Sequence, residues 1–196
     1  MFDVGCFTIH QVYACNSSFD RNNFVRWVKK GYLVRLRQGY YTFPEYKSQP
    51  DFALYVANRI YRPSYISLHT ALAFYGIIPE AIVQFTSVSP LKTISFNNSF
   101  GDYIYKSVKK ELMFGYELKQ ADGGLTLLFA SPEKAIADLF YLYPFYNDTE
   151  SMLGLRLDED FLHDHLNISL LDEMVSGFGN KNLTKRVELL KKAYSL

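Results

Sequence analysis

The chain has 196 residues, of which 48% are hydrophobic and 17% aromatic, a composition typical of globular rather than disordered proteins. No run approaches the roughly 18 consecutive apolar residues of a membrane-spanning helix, so no membrane contact is expected. Two cysteines, Cys6 and Cys15, are too few to cross-link a chain of this length, which favours a reducing compartment. The start "MFDVG" carries Asp3 and no basic cluster. We therefore expect no secretory leader and a cytoplasmic location.

The net charge of +1 conceals an uneven distribution of charge along the chain. Residues 1–50 carry seven Lys and Arg against three Asp and Glu, a balance of +4. Residues 51–196 carry 14 basic and 17 acidic side chains, a balance of −3. Charge separated in this way indicates regions with different partners.

Residues 1–47 begin with the pattern of two short helices. Thr8 is placed to cap a first helix in "FTIHQVYAC", and the turn "NSS" follows it. Asp20 is placed to cap a second helix. The predicted apolar stripe of this second helix is Phe24, Val25 and Val28.

A hairpin is predicted directly after the second helix. Gly31 stands where a helix end favours a left-handed residue. The stretch "YLVRLRQGYYTF" then alternates in its first half, which predicts a strand with Arg35 and Arg37 on the same face. Gln38 and Gly39 supply a tight turn, and "YYTF" is rich in strand-forming residues.

The sequence pattern of residues 48–196 predicts a second unit. This unit is expected to be of α+β class, with a mainly antiparallel sheet and a helical tail. Ser67 is placed to cap the helix "LHTALAFYG", and Ser131 the helix in "SPEKAIADLFYL". Strands are predicted over 83–88 and 93–106, and in the hairpin "LMFGYELKQADGGLTLLFA". Further helices are predicted over 48–61, 158–166, 169–176 and 181–195.

The order helix, turn, helix, hairpin in residues 1–47 is that of a winged helix-turn-helix, whose second helix enters the major groove of double-stranded DNA. Arginine pairs well with guanine and asparagine with adenine. The residues predicted to read bases are Arg21, Asn22, Asn23 and Arg26. The residues predicted to hold phosphates or the minor groove are Lys29, Lys30, Arg35, Arg37 and Gln38. An ordinary solvated surface remains the alternative, and Trp27 and Tyr32 are expected to pack in the core or at a hinge rather than to stack on bases.

Three stretches resemble AbiEi-type antitoxins, transcriptional regulators of bacterial abortive-infection systems. They are "FVRWVKKGYLVRLRQGYYTFP" (24–44), "RPSYISLHTALAFYGIIPE" (62–80) and "ASPEKAIADLFYLYP" (130–144), in the family's order. The resemblance covers about residues 7–144 and does not extend to the tail from about 148. One departure is His69, where the family pattern "SLxxAL" has an acidic residue.

The resemblance implies a winged helix that binds inverted repeats upstream of its own operon and represses it. It also implies that residues 48–196 counteract a toxin resembling a nucleotidyltransferase, with or without direct contact. Within "SPEKAIADLFYL", Lys134 and Asp138 are four residues apart, so they are expected to pair on the helix surface. These two are the candidate antitoxin residues, although a capped, half-buried helix explains the stretch equally well.

An enzyme is the first alternative function. Asp102 followed by "ELK", with Glu117 and Lys119 on one strand, echoes the carboxylate and lysine pattern of metal-dependent nucleases. Such a triplet arises often by chance. Cys6, His10 and Cys15 supply three potential zinc ligands but lack a fourth. We therefore expect no catalytic residues, no metal and no cofactor.

A protein-interaction module without DNA affinity is the second alternative. Residues 148–173 hold eight acidic side chains and one basic side chain, Arg156. These acids form either a solvated helix surface or a docking site for a basic partner.

Overall fold

The computed structural model describes residues 5–196, the side chain of Asp122 excepted. Asp3, which bears on the expectation of no leader, lies outside these residues. The described chain combines helices with one antiparallel and one mixed sheet, so the predicted mixture of helices and strands and the helical tail are confirmed. Among residues 5–196, no helix is both long and apolar enough to cross a membrane.

The amino-terminal unit is a three-stranded antiparallel sheet with two helices on one side. Its strands lie in the order β1-β3-β2. The elements are β1 (Cys6–Thr8), α1 (Ile9–Cys15), α2 (Asn22–Lys29), β2 (Val34–Arg37) and β3 (Tyr40–Thr42). The strand β1 was not predicted.

Local hydrogen bonds explain where the two helices begin and end. The Thr8 hydroxyl accepts from the Gln11 N–H, and the Gln11 side chain accepts from the Thr8 N–H, a complete capping box. The Asp20 carboxylate accepts from the Asn22 N–H at 2.9 Å, although the cap position itself is occupied by Arg21. Gly31 has φ +75°, so the predicted left-handed residue after α2 is confirmed.

A β-bulge in β2 overturns one prediction about the hairpin. Arg35 pairs with Tyr41, whereas Arg37 pairs with Tyr40, so Leu36 is an extra residue in the ladder. Because Tyr40 and Tyr41 face opposite sides of β3, the two arginines also face opposite sides. The expectation that Arg35 and Arg37 share a face is therefore wrong.

The small sheet lies between two apolar cores. On one side, Phe7, Ile9, Phe24 and Leu33 form a cluster with the helices α1 and α2. On the other side, Cys6 and Leu36 belong to the main core of the molecule. Leu36 faces that main core by alternation from Val34, and the bulge turns Arg37 towards the same side.

The second unit contains a six-stranded mixed sheet in the order β6-β7-β5-β4-β9-β8. Its strands are β4 (Tyr65–Ile66), β5 (Gln84–Ser89), β6 (Ile94–Asn98), β7 (Gly101–Ser107), β8 (Tyr116–Ala121) and β9 (Leu125–Ala130). The hairpins β6-β7 and β8-β9 and the pair β4-β5 are antiparallel. The pairs β4-β9 and β5-β7 are parallel, which the sequence did not predict.

Seven α-helices follow or flank this sheet among the described residues, besides short 3-10 helices. They are α3 (Phe52–Ile60), α4 (Leu68–Phe74), α5 (Pro132–Leu142), α6 (Thr149–Gly154), α7 (Glu159–Asp164), α8 (Ile168–Gly177) and α9 (Lys181–Tyr194). The tail adds α6 to the predicted helices. Two of its acids have a local purpose, because Asp148 and Asp158 cap α6 and α7.

The start of α4 is capped from another element. Ser67 occupies the cap position, but its hydroxyl donates to Asp138 at 2.8 Å and makes no helix cap. The Thr86 hydroxyl of β5 instead accepts from the Thr70 N–H at 3.1 Å and donates to the Ser67 carbonyl at 2.8 Å. The prediction that Ser67 caps this helix through its side chain is wrong.

Candidate nucleic-acid interface

The solvent face of α2 carries polar and basic side chains at helical spacing. Asn22, Val25, Arg26 and Lys29 are exposed and stand at positions i, i+3, i+4 and i+7, which form one stripe. Phe24 is buried on the opposite side of the helix. Val25, predicted in the apolar stripe, is 56% exposed, so that prediction is wrong. The sequence signal for the correct face was the spacing of the aromatic residues 24 and 27.

The aromatic residues on the inner side of α2 hold the helix against the sheet. Phe24 stacks on Tyr41 of β3 at 4.7 Å between ring centroids. Trp27 packs against Phe19 with 5.5 Å between ring centroids and is 37% exposed. Tyr32, expected in the core or at a hinge, is 61% exposed and so does not lie in the core.

Arg26 is held by neighbours of its own helix turn. Its guanidinium donates to the side-chain carbonyl of Asn23 and lies 3.8 Å from the Asp20 carboxylate. Both side chains of this ion pair are more than half exposed, so the pair is weak and is readily exchanged for another anion. Asn23 itself is only half-exposed.

Arg35 extends the basic surface onto the hairpin. It is exposed, and it faces the same side of the sheet as Tyr41, its partner across the strands. Since Tyr41 stacks on Phe24 of α2, Arg35 stands on the helix side of the sheet. Lys29 and Lys30 are exposed at the end of α2, and Lys30 lies 6.0 Å from the ring centre of Tyr32.

Arg37 has a different environment from the other basic residues. Its guanidinium donates to the carbonyl of Ile60 at 2.5 Å and lies 4.5 Å from the ring centre of Phe96 and 5.3 Å from that of Tyr61. These three residues belong to the second unit. Arg37 therefore connects the hairpin to the larger domain.

A shallow groove joins the start of α2 to the tip of the hairpin. It encloses about 440 Å³ and is lined by Ile9, His10, Tyr13, Arg21, Arg37, Gln38 and Gly39. The fold thus brings Arg21 and Gln38, 17 residues apart in the chain, to the walls of one cavity.

Lys134 and Asp138 form an ion pair in the core and not on the surface. Their side chains are 0% exposed, and Lys134 Nζ lies 2.7 Å from Asp138 Oδ1. Lys134 also donates to the Leu112 carbonyl at 3.1 Å. Tyr65 and Ser67 donate to Asp138 Oδ2 at 2.9 and 2.8 Å. The prediction of a surface pair is wrong.

Burial dominates the protonation of this pair. Burial lowers the pKa of Lys134, and the attraction of Asp138 opposes that shift. Burial likewise raises the pKa of Asp138, against Lys134 and the hydroxyl donors. Because neither side chain reaches the surface, neither touches a partner directly.

The structure does not bring together the three residues of the nuclease pattern, Asp102, Glu117 and Lys119. Asp102 lies on β7 and Glu117 on β8, with β5, β4 and β9 between them. At the usual strand spacing these two strands are about 19 Å apart. Glu117 instead pairs with Lys119 of its own strand at 3.0 Å.

The three potential zinc ligands of the sequence, Cys6, His10 and Cys15, do not form a metal site. Cys6 is buried, Cys15 is exposed, and both are free thiols. Burial raises the pKa of Cys6 to about 12. Within residues 5–196, no group of three or more His, Cys, Asp and Glu side chains is arranged to hold a metal ion.

His69, the departure from the family pattern, lies in the first turn of α4. Its ring meets Tyr143 edge-on at 5.5 Å, and both line a cavity of about 320 Å³ together with Glu80 and Lys106. Burial lowers the pKa of His69, while the charge of Glu80 opposes that shift.

Comparison with known proteins adds no support for the resemblance to AbiEi-type antitoxins. Neither a scan against models of protein families nor a search of curated proteins finds a match to this chain.

Proposed function

We propose that this protein is a DNA-binding transcriptional regulator whose amino-terminal unit acts as a winged helix-turn-helix. The observation that carries the proposal is the solvent stripe of α2, Asn22, Val25, Arg26 and Lys29. Arg35 stands beside it on the same side of the sheet. A helix with exposed amide and guanidinium groups next to a basic hairpin suits entry into a major groove.

Each residue of the stripe has a role in this proposal. Arg26 and Asn22 donate to base edges, and Val25 contacts a thymine methyl group, the apolar feature of the major groove. Lys29, Lys30 and Arg35 bind phosphates. Arg21 and Gln38, on the walls of one groove, reach the backbone from the start of α2 and the hairpin tip. Asn23 orients Arg26 rather than reading a base.

Titration of labelled duplexes tests this assignment. Arg26→Ala loses a base contact, so affinity for the operator falls by about 1–3 kcal/mol while affinity for unrelated duplexes changes little. Arg156→Ala, in the tail, is the matched control and leaves both affinities unchanged. Equal affinity of the wild-type chain for every duplex sequence would contradict base reading by α2.

The proposal includes an antitoxin role for residues 48–196, as the resemblance implies. It is supported by the acidic tail, which gives this part of the chain a charge balance opposite to that of α2. Co-expression with the product of an adjacent nucleotidyltransferase-like gene tests it. Protection should survive in Arg26→Ala/Arg35→Ala, which impairs DNA binding only. If that double variant fails to protect although it is folded, repression of transcription is the whole activity.

A further inference from the structure

The strand β8 forms an open edge of the six-stranded sheet. Among residues 5–196, no strand pairs with its outer side, although all six of its residues pair with β9 on the inner side. Leu118, at its centre, is 68% exposed. Proteins usually shorten or cover such an edge because its free backbone groups bind other strands.

The opposite edge of the same sheet is covered. The hairpin of the amino-terminal unit lies against β6, where the Asn98 amide donates to the Leu36 carbonyl at 3.0 Å and Arg37 packs on Phe96. One edge is thus protected within the chain, while β8 has no cover among the described residues.

Two hydrogen-bond patterns show which backbone groups of β8 point outward. The Ser131 N–H donates to the Gly115 carbonyl at 3.1 Å, so residues at odd positions face β9. Asn58 binds the N–H and the carbonyl of Leu128 at 2.7 and 3.2 Å, so Leu128 directs its groups away from its partner Leu118. The outward groups of β8 therefore belong to Tyr116, Leu118 and Gln120.

These positions define how a second copy can pair. In an antiparallel pair about a twofold axis, the residue on the axis faces its own equivalent, in a hydrogen-bonded pair where its backbone groups point outward and in a non-hydrogen-bonded pair where they do not. An axis through Leu118 pairs Leu118 with its equivalent, and Tyr116 with Gln120 of the second copy, on both sides. Five residues of β8, 116–120, then pair with one another. An axis at Lys119 also pairs five, 117–121, but sets Lys119 opposite its own equivalent, and an axis at Tyr116 or Gln120 shifts more of the pairing beyond the strand.

The side chains favour the same register. With the axis at Leu118, Glu117 of one copy stands opposite Lys119 of the other, and the reverse pair stands on the far side. The ion pair of Glu117 with Lys119 within one copy, at 3.0 Å, then forms one side of a square in which the four charges of the two copies alternate. Leu118 covers its equivalent on the other face of the strand. The edge is self-complementary in hydrogen bonds, charge and shape.

We propose that β8 is the interface of a homodimer, in which two copies pair antiparallel about a twofold axis through Leu118 and form one continuous sheet. A strand of an unrelated protein has no reason to carry the matching order of charges. The dimer interface on β8 is separate from the surface of α2 proposed for DNA. The dimer proposal can therefore be tested without measuring DNA binding.

Sedimentation of the full chain over a range of concentrations tests the dimer. The wild-type chain should pass from monomer to dimer as concentration rises. Leu118→Pro removes an outward N–H and spares the ladder with β9, so this variant should stay monomeric with an unchanged circular dichroism spectrum. A wild-type chain that remains monomeric throughout, or a folded Leu118→Pro variant that dimerises normally, overturns the proposal.

Charge exchange tests the register. Glu117→Lys and Lys119→Glu each place like charges opposite one another, so each should weaken self-association by roughly tenfold. The double variant Glu117→Lys/Lys119→Glu should restore it, and an equimolar mixture of the two single variants should form a mixed dimer. Absence of rescue in both the double variant and the mixture overturns the register.

Discussion

At the scale of residues, the buried pair of Lys134 and Asp138 is the strongest polar feature of the second unit. It connects α5 to β4 through Tyr65, to the start of α4 through Ser67, and to the carbonyl of Leu112 between β7 and β8. One of the three stretches that resemble the antitoxin family, residues 130–144, therefore stabilises the fold through this pair. An effect of these residues on antitoxin activity would act through the folded state.

Removing one partner of the pair should destabilise the protein strongly. Asp138→Ala leaves a buried ammonium group and two hydroxyls without their acceptor, so we expect a loss of about 3–5 kcal/mol of unfolding free energy. Lys134→Met/Asp138→Leu removes both charges and should recover much of the loss. Urea unfolding followed by circular dichroism measures both. A double variant less stable than Asp138→Ala would contradict the account of this pair.

His69 should make stability depend on pH. Its pKa is lowered in the folded state, so its stabilising contribution is complete above the ordinary value of about 6.5 and is lost as the pH falls through the folded value. Thermal unfolding between about pH 7.5 and about pH 5 measures this loss. His69→Gln, which does not titrate there, should show a flatter profile. Equal profiles for both chains would rule out His69 as a source of the dependence.

At the scale of elements, local signals predicted helix ends better than strand faces. Thr8, Ser131 and Gly31 occupy their predicted capping roles, because a cap depends on residues a few positions apart. Strict alternation in "VRLR" predicted the wrong face for Arg37, since the bulge turns this side chain towards Ile60 and Phe96, which lie far away in the chain. The cap of α4 by Thr86 could not be predicted either, because Thr86 lies on another element and reaches α4 only in the folded chain.

That cap supplies a test at this scale. Thr86→Val keeps the shape of the side chain but removes the acceptor for the Thr70 N–H and the donor to the Ser67 carbonyl. Both groups are buried, so we expect a loss of about 1–3 kcal/mol. Ser107→Ala, at the exposed last residue of β7, is the control and should cost little. Equal stability of Thr86→Val and the wild type would show that α4 needs no cap from β5.

At the scale of the whole molecule, the small sheet joins the two units because each of its faces packs on a different core. The hairpins β6-β7 and β8-β9 were predictable from their turns. The parallel neighbours β4-β9 and β5-β7 were not, since no local pattern specifies which distant strands pair. The basic residues of the candidate interface were predictable from the sequence. That Arg35 lies on the side of α2 and Arg37 against the second unit could be seen only from the packing of the folded chain.

This separation predicts different DNA phenotypes for the two hairpin arginines. Arg35→Ala loses a phosphate contact, so binding should weaken for all sequences and its salt dependence should flatten by about one unit of slope. Arg37→Ala removes contacts to Ile60 and Phe96, so it should lower stability and leave that slope unchanged. Binding isotherms at several salt concentrations distinguish the two. A flattened slope in Arg37→Ala would assign it to the interface.

The central claim is that α2 reads a DNA sequence, and one measurement tests it most directly. The affinity of the full chain is measured for the region upstream of its own gene and for a scrambled duplex of equal length and composition, at one salt concentration. We predict much tighter binding to the upstream region, with the preference largely lost in Arg26→Ala and total affinity lower again in Arg26→Ala/Arg35→Ala. Equal affinity for both duplexes, or a preference unchanged in Arg26→Ala, would contradict the claim.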